Sequence, residues 1–185
     1  MDETTSRILD AAGAHIRDFG FRRTSMEDVA RRARVGRATL YRRFASRDAL
    51  IEGVMMRELE RYLAALTDTV ANVRDLEERV VEGFVTSMRF IHKHWLGRLL
   101  LAEPDLLQPF LAARGGDALA ICRGYMIGQL REEKSLRAKD LPAIAETLIR
   151  ITLSFLLIPD SCVRLGDETA IRAYARRCLA PIVRG

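Results

Sequence analysis

The sequence predicts an all-α chain: a three-helix N-terminal head, a linking helix and a longer helical body. Three observations carry this. Apolar side chains recur every three to four positions nearly throughout, and no stretch alternates as a strand would. Cap-forming residues such as Ser25, Ser46 and Asp75 punctuate that periodicity. Finally, residues 1–47 hold 11 Arg against 6 Asp and Glu, whereas residues 48–185 hold 19 Lys and Arg against 19 Asp and Glu. The two parts therefore differ in character, and the expected division is 1–46 and 47–185.

The first helix is expected from about Thr5 to Phe19, where Ile8, Ala12, Ile16 and Phe19 share a face and Gly20 is a natural stop. His15 falls beside that face as a packing residue. Thr24-Ser25-Met26-Glu27 reads as a capping box, with Ser25…Asp28 as a competing frame; either opens a helix to about Ala33. A brief turn at Arg34-Val35-Gly36 leads to a third helix, Arg37 to about Phe44, with Leu40 and Phe44 inward. Short helix, tight turn, short helix is the helix-turn-helix arrangement. Ser46 caps a fourth helix carrying Leu50, Val54, Leu59, Leu63 and Leu66, long enough to bridge head and body.

In the body, Asp75 opens a helix of about twenty residues whose stripe runs Leu76, Val80, Phe84, Met88, Ile91 and Trp95. Pro104 and Pro109 break the next apolar stretch into short pieces. Gly115-Gly116 reads as a loop, after which Asp117 caps a helix to about Glu133. Ser135 to Asp140 is a polar connection. Asp140 caps a helix to Ile158, and Asp167-Glu168 opens the last one, with Ile171, Tyr174, Cys178 and Ile182 inward. These two terminal helices, near 141–158 and 168–182, carry more apolar face than a small domain absorbs, which suggests a contact between two copies.

Several classes of protein find no support. No apolar run reaches the roughly 18 residues needed to span a bilayer; Ile149 to Ile158 is the most apolar stretch. Met1-Asp2-Glu3 is not the start of an export signal, so the cytoplasm is the expected place. There is no Gly-rich phosphate loop, GxSxG or HExxH, and no catalytic site, metal or cofactor is expected. Cys122, Cys162 and Cys178 are an odd, widely spaced set and are expected as buried thiols, with a redox switch as the rival reading. His92 and His94 lack a third ligand within sequence reach.

The charge asymmetry has two readings. Nine Arg lie between Phe21 and Arg47 against Glu27 and Asp28. A run of this kind is often a solvated face, but a cationic patch on a helix-turn-helix also suits a polyanion. The stretch from Thr24 to Ala30, then Val35-Gly36-Arg37-Ala38-Thr39-Leu40-Tyr41-Arg42-Arg43-Phe44, then Ser46-Arg47-Asp48-Ala49-Leu50, closely resembles the head of the tetracycline-repressor (TetR) family.

That resemblance implies a DNA-binding transcriptional regulator, a ligand-released repressor acting as a homodimer on a near-palindromic operator. An activator, a ligand-independent regulator, or a ligand or redox sensor with a non-specific head are the alternatives. It implies base contacts from Arg37, Ala38, Thr39 and Arg42, and phosphate contacts from Thr24, Ser25, Tyr41, Arg43 and Arg47. It also implies a ligand-binding and dimerising body, with Phe84, Met88, His92, Trp95, Met126 and Phe155 as pocket candidates for a small apolar or aromatic effector. Two positions depart from the family pattern: Arg34 stands where Gly is usual, and Arg43 where His is common. If the turn needs φ > 0, Arg34 costs about 1 kcal/mol relative to Gly; otherwise the turn is reshaped.

Overall fold

The computed structural model describes residues 2–103, 105, 107–131, 133 and 136–184, which are helical with no strand among them. Pro104 and Ser135, at which a helix break and a polar connection were expected, lie outside the described residues.

Helix α1 (Glu3–Phe19) starts two residues before the expected Thr5 because Asp2 caps it, accepting from the Thr5 amide at 2.9 Å. Gly20 ends it at φ 83°. Helix α2 (Met26–Arg32) realises the Ser25…Asp28 frame: the Ser25 hydroxyl accepts from the Asp28 amide at 3.1 Å and donates to its carboxylate at 2.6 Å. Helix α3 (Arg37–Arg43) follows without a side-chain cap at Gly36.

The α2–α3 turn keeps its left-handed residue. Arg34 sits at φ 53°, with its amide bonded to the Arg31 carbonyl and the Val35 amide to the Ala30 carbonyl. This pair of bonds is the Schellman ending of a helix, with Arg in the place Gly usually takes. The turn is thus not reshaped.

Helix α4 (Arg47–Val70), capped by Ser46, spans about 36 Å at 1.5 Å per residue and runs from one core into the other. The first core holds Ile8, Ile16, Phe21, Val29 and Leu40 with Leu50, Val54 and Met55 of α4. It also takes in Leu96, Leu100 and Leu107 from the body, so α4 and the segment after His94 both brace the head. Arg22 adds a bridge to Glu103 at 3.6 Å. The second core gathers Val81, Phe84, Val85, Met88 and Ile91 with Leu148, Ile171 and Leu179.

Three body expectations are corrected. The long stripe ending at Trp95 is two helices, α5 (Leu76–Lys93) and α6 (Trp95–Ala102). His94 takes extended backbone at ψ 145°, and its Nδ1 accepts from the Leu96 amide at 3.3 Å, so it ends one helix and caps the next. The reversal needs Gly97, where a Cβ would stand 2.4 Å from the Ile91 carbonyl oxygen.

Second, Gly115-Gly116 is not a loop: α7 (Leu107–Leu130) runs through it. Its packing against α4 and α8 outweighs a cost of about 1 kcal/mol per Gly relative to Ala. Third, Cys178 points outward, and Cys162 is exposed too; only Cys122 is partly buried.

Helix α8 (Leu141–Leu157) packs on α7. Helix α9 (Glu168–Tyr174) widens into a π turn at Ala175–Leu179 and tightens into a 3₁₀ turn at Ala180–Val183. Pro181 explains the change, since it cannot donate to the preceding turn. None of the described helices is long and apolar enough to cross a membrane.

Candidate nucleic-acid interface and body cavity

The cationic face is built on α3. Leu40 is fully buried and fixes the rotation of this short helix against α1 and α2. That rotation leaves Arg37, Ala38, Tyr41, Arg42 and Arg43 exposed and Thr39 half-buried. The Arg37 guanidinium carbon lies 5.5 Å from the Tyr41 ring centroid, and its Nη2 is 2.9 Å from Glu27. Arg43 pairs with Asp2, the residue that caps α1. Two acids thus sit on two of the face's cations, and an incoming polyanion must exchange with them. Arg42 has no ion pair or hydrogen bond among the described residues.

Three residues that the resemblance places at phosphates are engaged inside the head. The Thr24 hydroxyl is buried and donates to the Gly20 carbonyl at 2.9 Å. Ser25 is the α2 cap. Arg47 donates through Nε to the Thr24 carbonyl at 2.8 Å and through Nη2 to the Phe21 carbonyl, locking the α1–α2 connection. Sequence spacing gave no sign of this use, because the carbonyls come from residues 23 and 26 positions away. His15 packs against Phe19, with its Nε2 3.4 Å from the Arg23 carbonyl.

The body holds a cavity of about 230 Å³ between α4, α5, α7 and α8. Phe84 and Met126 stand on its wall. Met88, His92, Trp95 and Phe155 do not. Met88 is core, Trp95 packs against the first core, and Phe155 packs edge-on to Phe84 and Tyr174. His92 is half-buried, and burial pushes its imidazole below the ordinary value. The wall also includes Tyr62, Arg79, Phe90 and Cys122, which periodicity did not single out. Burial pushes the Tyr62 phenol up to about 12 and the Cys122 thiol up to about 11.

One buried charge links cavity and head. Glu58 on α4 is 4% exposed, with its carboxylate 2.7 Å from Arg61 and 3.6 Å from His94 Nε2. Arg61 also reaches Asp10 of α1 at 2.7 Å, and Arg57 reaches the same carboxylate. The His94 ring stacks on Phe90, with centroids 4.4 Å apart. Contacts therefore run from the cavity wall at Phe90 through His94, Glu58 and Arg61 to α1. Glu58 falls four residues after Val54, on the buried side of α4, and that position was the signal for it in the sequence.

Residues 8–54 match the family model described as bacterial regulatory proteins, tetR family. The HTH-type transcriptional activator FasR of Mycolicibacterium smegmatis is 25% identical over 153 residues, 82% of this chain and 70% of that protein. The HTH-type transcriptional regulator UidR of Escherichia coli is 29% identical over 100 residues, 54% of this chain and 49% of that one. Among solved structures, the TetR family repressor AlkX of a Dietzia strain, implicated in n-alkane biodegradation, superposes with a TM-score of 0.76 at 22% identity. That superposition covers 96% of this chain and 93% of AlkX.

Proposed function

Because the chain belongs to the tetR family of bacterial regulatory proteins, and is thus a DNA-binding transcriptional regulator, we propose that it is a homodimeric repressor released by a ligand in the body cavity. The observation that carries this reading is the contact path from the cavity wall at Phe90 to Asp10 in the head. A ligand acts only through different affinities for two head arrangements. The stacked Phe90–His94 pair sits at the α5–α6 break, where a small shift changes the support of Glu58 and Arg61 beneath α1.

On DNA, α3 enters the major groove. Arg42, free of partners among the described residues, and Arg37, Ala38 and Thr39 read bases; Tyr41 and Arg43 hold phosphates, Arg43 by leaving Asp2. Thr24, Ser25 and Arg47 keep the frame that aims α3. Two copies meet through α8 and the C-terminal helix, next to which Leu157 and Ile158 are 46% and 67% exposed. The heads then reach successive grooves about 34–36 Å apart. A second reading, an activator, is favoured by the likeness to FasR. Reporter output with and without the chain separates the two.

The test is Arg42→Ala on a site selected from random sequence. Its loss is about 1–3 kcal/mol, with relaxed preference at one base step and little change on random DNA. Equal losses on selected and random DNA would overturn the assignment of Arg42 to a base.

A further inference from the structure

The cavity wall names a ligand chemistry. It is apolar apart from a few groups, and most of those are already satisfied. Ser87 donates to the Gly83 carbonyl at 2.7 Å, so the 2.6 Å contact between Tyr62 and Ser87 has Tyr62 as donor. Thr152 donates to the Leu148 carbonyl at 2.9 Å. Arg79 is the one charged side chain among the described lining residues. Its Nη1 donates to the Gln129 carbonyl at 3.2 Å and its Nη2 is 3.7 Å from Glu133, but its Nε is buried with no acceptor. A buried N–H without an acceptor is costly, and a small turn of the Arg79 guanidinium toward the cavity would let an anion relieve it with a charge-assisted bond.

The shape adds a second constraint. On α5 the wall runs from Leu76 to Ile91, about 22 Å along the helix at 1.5 Å per residue. A volume of about 230 Å³ spread over that length is a thin space. It holds roughly eight groups if each takes about a water's share of liquid volume. Arg79 lies near the Leu76 end, and Phe90 and Leu156 lie toward the head.

We propose that the cavity takes a single-chain amphiphile, an unbranched alkyl chain of about eight carbons along the apolar wall with a carboxylate or similar anionic head on Arg79. The chain then points along α5 toward Phe90, where the path to the head begins. This rests on the reading of the chain as a ligand-released regulator.

The test is calorimetry of the full chain with octanoate, 1-octanol and 2-naphthoate, repeated on Arg79→Gln and Arg79→Lys. Octanoate binds at least ten-fold tighter than 1-octanol. Arg79→Gln removes that preference but still binds 1-octanol, and Arg79→Lys restores part of it. Equal binding of octanoate and 1-octanol to the unaltered chain overturns the head-group assignment even if Arg79→Gln does not fold. Tighter binding of 2-naphthoate overturns the shape argument, and no binding of any probe overturns the whole inference. Anisotropy on the selected DNA site then separates the two readings. Octanoate that binds without loosening DNA upholds this inference and overturns ligand release. Failure of every probe to bind, with DNA binding intact, overturns this inference and leaves the regulator standing.

Discussion

At the scale of single residues, the head combines a strained turn with a face held in check by its own acids. Arg34 occupies the left-handed region at φ 53° in a Schellman ending that would suit Gly. Arg34→Gly is expected to raise stability by about 1 kcal/mol, measured by denaturant melts. A loss of stability would show that the Arg34 side chain does more than tolerate the turn. The same residue shows what sequence alone conveys: the departure from Gly was visible, but which of two turns the chain adopts was not. Arg47 shows the reverse. Its place in the motif was legible, yet its use on the Phe21 and Thr24 carbonyls depends on how α4 meets the α1–α2 connection.

At the scale of elements, α5 and the C-terminal segment are joined by a ladder of charge pairs. Arg184 makes a two-point bond to Glu77, Arg176 to Glu78 and Arg172 to Glu82, while Glu168 holds Arg89 and Arg172. Hydrogen bonds from Arg184, Arg176 and Arg89 hold the carboxyls of Glu77, Glu78 and Glu168 below their ordinary value of 4.5. A carboxylate depressed on folding contributes stability present above its unfolded value and lost as pH falls through its folded value. The C-terminal segment should therefore gain hydrogen exchange below about pH 4.5 before the buried part of α5 does. Simultaneous exchange in both would show that the ladder contributes nothing separable. Helices α2 and α4 were legible because cap and apolar period agreed there, and α1 and α3 from the apolar period and the turns around them. The α5–α6 break was hidden because the apolar stripe continues through Trp95 and Leu96 while the backbone turns at His94 and Gly97. Gly115-Gly116 misled in the other direction, since tertiary packing of α7 overrode a weak local preference. Four pocket candidates missed the cavity wall because periodicity marks an inward face without saying which inward residues border a void.

At the scale of the molecule, head and body share α4 and are further clamped by α6, so a change in the body has a mechanical route to the DNA face. The cationic head was legible from charge distribution alone, whereas the chain of contacts from body to head needed the fold: Asp10, Arg61, Glu58 and His94 are scattered over 84 positions of sequence. The measurement that tests the central claim most directly is fluorescence anisotropy of the purified chain on DNA from its own upstream region, with random competitor, across a salt series. Saturable, competitor-resistant binding at two chains per site, or a multiple, with affinity falling steeply as salt rises, is the predicted result. Binding no tighter than to random DNA, both there and on sequences selected from a random pool, would contradict the account.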